Sequence, residues 1–381
     1  MEQGMEISKH EADGLIVTLD AAEFNKAVGR VMAAAEARSK IPILTHILIE
    51  VDPETGLSLF GTNLDMQAEA GFVPESARID QGGRLCVDGA MIHQISGRMK
   101  GELTLIESKG RLRLVCGRAK ADLPTLPAGD FQKLGDMEGA VIVEVASGAL
   151  KAGLASVQHC ISTEETRYYL NGIYLECGGG NLVFTATDGH RLGHLEVTAS
   201  GEALPHFEGV IIPRKAVQAF LKLAEVHDGE VVLSISDRMV QLACGRDAYR
   251  TKQIDGNFPD YHRVIPKDQP IHMEVPVPDL KEALNIVVAA SSDKSSAVRL
   301  TPTEGRLTLS VRNEFRQAEA VIEHDDIPPA EPFGLNGKYL QQALDRIDAP
   351  LVKIGMTDAA TPFRFEAEGS DLLQVIMTLR A

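Results

Sequence analysis

Residues 182–192 read LVFTATDGHRL, and related stretches occur twice more, as LSLFGTNLDM at residues 57–66 and LTLSVRNEFRQ at residues 307–317. The first half of each stretch alternates in hydrophobicity, which is typical of a β-strand, and a polar turn follows. The turn residues Asn63, Asp188 and Asn313 are spaced 125 and 125 residues apart. This spacing predicts one hairpin in three tandem copies.

Two amphipathic helices accompany the hairpin in every copy. The first has apolar residues at i, i+4 and i+7, namely Phe24, Val28, Val31; Leu150, Leu154, Val157; and Leu280, Leu284, Val287. The second helix follows a strand, and its markers Ile92, Val217 and Leu340 are 125 and 123 residues apart. Copies one and two both end in a phenylalanine, Phe131 and Phe258, at an offset of 127 residues.

Four landmarks with one period predict three domains of one fold, at residues 1–136, 137–266 and 267–381. Each copy reads as helix, alternating strands, helix and further strands. The predicted class is therefore α+β, with antiparallel sheets. Repetition of a domain about an axis would present equivalent helices side by side.

The composition restricts the class of protein. The 381 residues contain no run of 18 apolar residues, and the acidic N-terminal stretch has no apolar signal core, so we predict a cytoplasmic protein without a membrane segment. Five cysteines without a CxxC pair favour reduced thiols over disulfides or a zinc site. The formal charge is −16, so a nucleic-acid role requires the basic residues to be segregated on one surface.

Basic residues do occur on the polar sides of the predicted helices. They are Lys26, Arg30, Arg98, Lys100, Lys151, Arg214, Lys215, Lys222, Lys281, Lys338 and Arg346. These residues are compatible either with an ordinary solvated helix face or with a basic lining. In addition, Arg167, Tyr168 and Tyr169 combine a cation with two aromatic rings, which suits contacts with phosphates and bases, although one tyrosine is expected to face the core of a strand.

The turn Asp188-Gly189-His190-Arg191 also raises the alternatives of an active site or, with His194, a metal site. Asp-Gly between alternating runs is a hairpin signal, and alternation directs His190 and Arg191 to opposite faces. The equivalent turns at Asn63 and Asn313 lack the His and Arg. We therefore predict neither catalysis nor a metal here, and no cofactor.

Several longer motifs make a family resemblance specific. They are RYYLNGIYLE, TATDGHRL, IIPRKAV, DGNFPDYHRVIP, SSDKSSAVRL and the C-terminal VIMTLRA. In order and spacing they resemble the bacterial DNA polymerase III β subunit, the β sliding clamp, from about residue 5 to the C-terminus. The resemblance implies the DNA clamp fold and a head-to-tail homodimer. It also implies closure into a ring, with helices inside and sheets outside, around duplex DNA.

The implied function is that of a non-catalytic processivity factor, which tethers the replicative polymerase catalytic subunit to DNA without sequence recognition. The chain has no GxxxxGK[ST] phosphate loop, so a separate clamp loader is expected as a partner. Other DNA polymerases and repair proteins that carry clamp-binding motifs are expected partners too.

The resemblance also implies two sets of site residues. The partner-peptide groove would comprise Leu170, Thr187, Gly189, His190, Arg191, Leu192, Pro259, Arg263, Val264, Asn336, Tyr339, Val352, Val375, Ile376, Met377, Thr378, Leu379 and Arg380. The DNA-binding residues would be Lys26, Arg38, Tyr168, Tyr169, Arg214 and Lys215.

Two features depart from the family pattern. The chain ends in Met-Thr-Leu-Arg-Ala where the family ending resembles Met-Pro-Met-Arg-Leu, and Ser295 stands where an aromatic residue is common. Each change removes apolar contact, so we expect altered affinity for partner peptides. These departures leave open an alternative function, a divergent paralogous clamp that acts mainly as a platform for partners.

Overall fold

The computed structural model describes residues 13–198, 204–291 and 297–379. Within these ranges the chain passes through one order of elements three times: a strand, a helix, strands, a second helix and three strands. The confirmed class is α+β, and all strand pairs are antiparallel. We refer to the passes as copies one, two and three.

The elements of copy one are β1 (Ile16–Asp20), α1 (Ala21–Val31), β2 (His46–Asp52), β3 (Gly56–Thr62), β4 (Met66–Phe72), β5 (Arg78–Gln81), β6 (Gly83–Asp88), α2 (Gly89–Ser96), β7 (Glu102–Ser108), β8 (Arg111–Cys116) and β9 (Ala119–Pro127). Copy two comprises β10 (Val141–Ala146), α3 (Ser147–Val157), β11 (Gly172–Gly178), β12 (Asn181–Thr187), β13 (Arg191–Thr198), β14 (Val210–Pro213), α4 (Arg214–Val226), β15 (Glu230–Ile235), β16 (Met239–Cys244) and β17 (Asp247–Lys252). Copy three comprises β18 (Ile271–Pro276), α5 (Val277–Ala289), β19 (Ala297–Thr303), β20 (Arg306–Arg312), β21 (Gln317–Glu323), β22 (Phe333–Asn336), α6 (Gly337–Leu344), β23 (Leu351–Met356), β24 (Phe363–Glu366) and β25 (Leu373–Ile376).

The helices form where the sequence predicts them, and their apolar stripes are buried. All nine stripe residues predicted for α1, α3 and α5 have 0% exposure, as do the three markers of α2, α4 and α6. Side-chain caps define three helix starts: Asp20 accepts from Ala22 N at 2.9 Å, Asp88 from Met91 N at 2.8 Å, and Asn336 from Lys338 N at 3.0 Å. Such caps satisfy backbone N–H groups that have no partner inside the helix.

The predicted period of 125 residues is visible in the strand register. Thr62 pairs with Gln67, Thr187 with Leu192, and Arg312 with Gln317, so the three hairpins β3–β4, β12–β13 and β20–β21 have identical spacing. The internal repeat is therefore structural as well as sequential.

The contacts of the chain group it into two compact units. Unit 1 contains residues 1–147 and 218–253, and unit 2 contains residues 148–217 and 254–381. Within the described part of unit 1 a single sheet has the order β10-β15-β16-β17-β4-β3-β2-β6-β9-β8-β7-β1-β5. In this sheet β17 of copy two pairs with β4 of copy one.

In the described part of unit 2, eight strands form the sheet β14-β11-β12-β13-β25-β24-β23-β18, and four form the sheet β21-β20-β19-β22. Here β25 of copy three pairs with β13 of copy two, as β17 pairs with β4 in unit 1. A buried apolar core in unit 2 joins α5 and α6 to these sheets. The domain boundaries inferred from sequence remain predictions.

Two details differ from the sequence-based expectations. Tyr168–Leu170 form a 3₁₀ helix rather than the start of a strand, and β11 begins only at Gly172. Strands β1, β10 and β18 precede the first helix of each copy and were not predicted, because each is short and leads directly into its helix. None of the described helices is both long and apolar enough to cross a membrane.

Candidate functional site

A cleft of about 320 Å³ opens beside the copy-two hairpin in unit 2. Its walls are formed by Arg167, Tyr169, Leu170, Thr187, Gly189, Arg191, Leu192, Pro259, Asp260, Tyr261, Val264, Val375 and Met377. Most of these side chains are apolar or aromatic, and a few polar groups stand among them. This combination is typical of a binding site for an apolar ligand or peptide segment.

The turn at one edge of the cleft is held by its own side chains. Asp188 Oδ1 accepts hydrogen bonds from His190 N at 2.9 Å and Arg191 N at 3.0 Å. Thr187 Oγ1 donates to Arg191 O at 2.7 Å and accepts from Gly189 N at 3.1 Å. Gly189 has φ of +86°, a conformation that favours glycine. Asp188 therefore builds the turn, as the sequence predicted.

Arg191 joins copy two to copy three inside unit 2. Its guanidinium pairs with Asp188 Oδ2 at 3.1 Å, donates to Gln342 Oε1, and lies 4.2 Å from the centre of the Tyr339 ring. Side-chain exposure is 10% for Arg191 and 14% for Asp188. Because the partners of its guanidinium are side chains of this chain, Arg191 links copy two to copy three within the cleft wall. It is therefore not a solvated cation at the rim.

An apolar cluster forms the floor of the cleft. Leu192, Tyr261 and Val375 are buried together, and Tyr174 stacks on Phe258 next to them at 4.8 Å. The Tyr261 hydroxyl donates to Glu176 Oε1 at 2.5 Å, and burial raises the pKa of this phenol. The floor is thus apolar and aromatic, and the buried Tyr261 hydroxyl has a hydrogen-bond partner.

Arg167 and Tyr169 also line the cleft, and Arg167 lies against Gly189 of the turn. The Arg167 guanidinium makes two hydrogen bonds of 2.8 Å each to the Glu164 carboxylate, and this interaction lowers the pKa of Glu164. Tyr168, 52% exposed, packs edge-on against Tyr169 at 5.9 Å and does not line the cleft. The two tyrosines therefore have different environments: one is in the cleft wall and the other is in solvent.

A buried polar pair lies in the 3₁₀ turn Gln158–Cys160, next to β13. His159 Nε2 is 3.3 Å from Cys160 Sγ. Burial, with the nearby cations Arg191 and Arg346, lowers the pKa of His159 to about 4, and burial raises the pKa of Cys160 to about 12. Both groups are neutral near pH 7, so neither is a reactive nucleophile or acid in this state.

The structure places the predicted groove residues in three settings. Those that line the cleft are Leu170, Thr187, Gly189, Arg191, Leu192, Pro259, Val264, Val375 and Met377. A second group lies behind or beside the lining residues. The His190 O accepts from Met377 N at 2.8 Å, Asn336 caps α6, and the Tyr339 ring lies against the Arg191 guanidinium. Val352 and Ile376 are in the core, Thr378 donates to Ala360 O at 3.2 Å, and Leu379 N donates to Gly334 O at 2.8 Å. Arg263 is solvent-exposed and pairs with Asp260 at 2.8 Å, while Arg380 and Ser295 lie outside the described residues.

Sequence reasoning missed Arg167, Asp260 and Tyr261 as cleft residues, and it assigned Tyr169 to DNA rather than to the cleft. The aromatic spacing in NFPDY, residues 257–261, was an available signal for Tyr261. Arg167 carried no such signal, because its place above Gly189 arises from the fold of the 3₁₀ segment.

The predicted DNA-binding residues are also in different environments. Arg38 and Lys215 are exposed, and exposed Lys26 pairs with Glu23 at 2.9 Å. Arg214 is half-buried, and its guanidinium donates to Ile161 O at 2.6 Å and Ser162 O at 2.9 Å. Arg214 therefore stabilises the segment that follows α3.

The arrangement gives no support to an active site or metal site at the turn. Asp188 is occupied by Arg191 and by two backbone N–H groups, and His190 points to solvent. Within the described ranges, no group of three or more His, Cys, Asp or Glu side chains could hold a metal ion. A cleft with these properties can bind a partner segment without chemical reaction.

Comparison with known proteins agrees with the fold. Family models for the N-terminal, central and C-terminal domains of the DNA polymerase III β subunit match residues 15–135, 144–260 and 262–380. The β sliding clamp of Caulobacter vibrioides is 35% identical over 357 residues, which covers 91% of this chain and 94% of the relative.

Solved structures give the same result. A crystal structure of the C. crescentus β sliding clamp superposes with a TM-score of 0.90 at 33% identity, over 97% of this chain and 99% of that chain. The sliding clamp of Bartonella birtlesii, solved with griselimycin bound, gives 0.89 at 31% identity over 96% and 100%. The chain belongs to the family of DNA polymerase III β subunits, the β sliding clamps.

Proposed function

We propose that the chain is the processivity factor of a replicative DNA polymerase, a ring that slides on duplex DNA and tethers its partners. The observation that carries this proposal is the threefold clamp fold with a peptide-sized cleft beside the middle hairpin. Tethering raises the effective concentration of a bound polymerase at the primer end, so that a weak contact supports long synthesis.

The strand edges support the proposed ring closure by two copies. In each unit the second strand of a repeated hairpin, β4 or β13, pairs with the last strand of the next copy, β17 or β25. Strand β21 is the third equivalent, and it is an edge strand among the described residues. A head-to-tail homodimer would pair this edge with the equivalent strand of a second chain.

Duplex DNA would contact the helices through sequence-independent attraction to phosphates. Arg38 and Lys215 are exposed and suited to this role, with Lys26 and Tyr168 as further contacts. Tyr169 and Arg214 would contribute mainly by shaping the adjacent segment, because one lines the cleft and the other bonds to two carbonyls. Such phosphate contacts are weak and salt-sensitive, which permits sliding.

The cleft would take short apolar motifs from the polymerase catalytic subunit, the clamp loader, and other polymerases and repair proteins. An aliphatic partner side chain would bury itself against Leu192, Tyr261 and Val375. The full set of groove residues implied by the family, and domain boundaries at residues 136/137 and 266/267, are part of this proposal. We also propose that the chain is non-catalytic and acts in the cytoplasm.

The alternative of a divergent paralogue that serves only as a platform is not favoured, because the relatives that match nearly the full length are named β sliding clamps. The altered tail instead suggests a moderate change in peptide affinity.

The test is retention on circular DNA. The purified chain is loaded with a clamp loader and ATP onto singly nicked circular duplex, and bound protein is separated by gel filtration. We expect co-elution with the circle and release after linearisation by a restriction enzyme. Equal retention on linear DNA, or none on the circle, would contradict the proposal.

A further inference from the structure

One wall of the cleft is formed by residues 257–265, which follow β17 and belong to no strand. We call these residues the wall segment. A 3₁₀ helix spans Tyr261–Arg263, and the residues of the segment that line the cleft are Pro259, Asp260, Tyr261 and Val264. Because no strand ladder holds the wall segment, its position depends on side-chain contacts with the neighbouring sheet.

Two side chains of the wall segment rest on strand β11. The Phe258 ring stacks on the Tyr174 ring at 4.8 Å, with an angle of 3° between their planes. The Tyr261 hydroxyl donates to Glu176 Oε1 at 2.5 Å, and Tyr261 is 4% exposed. Tyr174 and Glu176 are alternate residues of one strand, so they lie on the same face of the sheet. This face therefore supports the wall segment.

Copy one has a carboxylate at the equivalent position. Glu50 pairs with Ser58 in β2–β3, and Glu176 pairs with Val183 in β11–β12. Ser58 and Val183 are 125 residues apart, so Glu50 is the equivalent of Glu176. Glu50 also anchors the segment that follows its copy, because Lys133 Nζ lies 2.6 Å from Glu50 Oε2. The repeat thus uses this carboxylate position twice to hold the segment that follows.

The two anchored segments differ in what they place beside the hairpin. The offset of 127 residues between the phenylalanines that end copies one and two makes Leu134 the equivalent of Tyr261. In copy one, Leu134 N donates to the buried Gln67 Oε1 at 2.8 Å. In copy two, Tyr261 packs with Leu192, and both line the cleft. The anchor in copy two therefore shapes a binding surface.

We propose that Glu176 is a positioning residue for the binding of partner peptides and acts through Tyr261. Glu176 does not line the cleft, so it does not contact the peptide itself. Its carboxylate fixes the Tyr261 hydroxyl on the sheet, and the Tyr261 ring in turn packs with Leu192 and Val375 in the cleft floor. This assignment rests on the proposed function of the cleft.

The hydroxyl of Tyr261 makes the position of its ring sensitive to the acceptor. The ring is buried in the apolar cluster, with the His194 ring 5.3 Å away. A buried hydroxyl that loses its acceptor costs more free energy than a hydroxyl that is removed together with its acceptor. Without Glu176 the phenol is therefore expected to move toward water, which displaces the ring from Leu192. A phenylalanine at residue 261 has no such requirement and keeps its packing.

The chain itself offers a matched replacement for Glu176. Thr301 pairs with Thr308 in β19–β20, and Thr308 is 125 residues after Val183, so Thr301 is the copy-three equivalent. Threonine is favourable in a strand, but its hydroxyl reaches less far than the carboxylate of glutamate. Glu176→Thr therefore removes the acceptor while a strand residue is retained, and Glu176→Gln keeps an acceptor of the same length.

Titration with a fluorescent peptide that carries the clamp-binding motif of the replicative polymerase tests the assignment. We expect Glu176→Thr to weaken binding at least about fivefold, and Glu176→Gln to stay within about twofold of the unmodified chain. Tyr261→Phe should weaken binding no more than about twofold, and adding it to Glu176→Thr should restore the affinity to that level. This rescue shows that Glu176 acts through the Tyr261 hydroxyl, because a loss of stability alone does not change the affinity of the folded protein.

Glu50→Thr is the matched control, because it breaks the equivalent pair with Lys133 in unit 1. Thermal unfolding verifies that each variant is folded, and we expect Glu50→Thr to bind the peptide within about twofold of the unmodified chain. Unchanged binding by Glu176→Thr, no rescue by Tyr261→Phe, or an equal loss in Glu50→Thr would overturn the role of Glu176 and leave the cleft assignment intact. No binding by the unmodified chain would overturn both.

Discussion

The turns of copies one and two have the same hydrogen bonds and different side-chain surroundings. In copy one, Thr62 Oγ1 donates to Met66 O at 3.1 Å and accepts from Leu64 N at 3.1 Å. Asn63 Oδ1 accepts from Met66 N at 2.7 Å. These are the hydrogen bonds that Thr187 and Asp188 make in copy two, and even the positive φ recurs, at +72° in Leu64.

The side chains on this common scaffold decide what each turn does. Gln67 in copy one is 6% exposed, and its Oε1 accepts from Leu134 N at 2.8 Å. The space beside the copy-one turn is therefore occupied by another segment of the same chain. The equivalent residue in copy two is Leu192, which faces the cleft and packs with Tyr261. Where copy one has the buried amide of Gln67 with a hydrogen bond inside the chain, copy two has Leu192, whose apolar side chain forms part of the cleft wall.

A second difference between the two copies concerns the residue that precedes Gln67 and Leu192. Copy one has the apolar Met66, 3% exposed, where copy two has Arg191. The comparison teaches that the repeat keeps its turn chemistry, while the side chains at two neighbouring positions of copy two line the cleft.

The largest expected effect comes from Arg191→Met, which installs the copy-one residue. It removes the partner of the nearly buried Asp188 and the bond to Gln342, so we expect a loss of about 2–3 kcal/mol in the free energy of unfolding. Urea denaturation measures it. The matched control is Asp188→Asn, which keeps the turn acceptor as in Asn63, and the double variant should recover at least about 1 kcal/mol. Additive losses would show that the pair is not coupled.

A comparable effect is expected from pH, through His159. Its pKa in the folded protein, about 4, is below the ordinary value of 6.5, so the unfolded chain binds more protons between these values. Stability is therefore full above about pH 6.5 and falls as pH decreases toward 4, by about 2 kcal/mol at pH 5. His159→Gln should flatten this part of the profile in thermal unfolding. An unchanged slope in the variant would assign the acid sensitivity to other groups.

A smaller loss is expected from Gly189→Ala. The added Cβ would occupy a residue with φ of +86° and would clash with the Arg167 guanidinium. We expect a loss of about 1–2 kcal/mol. The control Gly179→Ala shares the positive φ, +59°, but has no neighbouring atom within 4 Å, so it should cost only the backbone part, about 1 kcal/mol. Equal losses in both variants would exclude a role for Arg167.

The smallest effect is expected in the tail, from Thr378→Pro, which restores the proline of the family ending. The neighbours of this residue are already anchored by Met377 N to His190 O and Leu379 N to Gly334 O. Stiffening the segment between them should raise peptide affinity by about two- to fourfold. Calorimetric titration measures this change. A decrease in affinity would show that peptide binding requires the conformational freedom of the native backbone at residue 378.

Much of this fold was predictable because its signals are local. The stripes of Phe24, Leu150 and Leu280 marked buried helix faces, and the turn at Asp188 was marked by Asp-Gly. The pairing of Arg191 with Gln342 was not predictable, because 151 residues separate them and only packing of β13 near α6 brings them together. The 3₁₀ form of Tyr168–Leu170 was missed because its aromatic pattern also fits a strand.

The most direct test of the central claim is a titration with a fluorescent peptide that carries the clamp-binding motif of the replicative polymerase. We predict one site per chain, a loss of at least about 30-fold in affinity for Leu192→Gln, and a change within about twofold for the reciprocal Gln67→Leu. Thermal unfolding of both variants controls for folding. Unchanged binding by Leu192→Gln, or an equal loss in both folded variants, would contradict the assignment of the binding site to the middle copy.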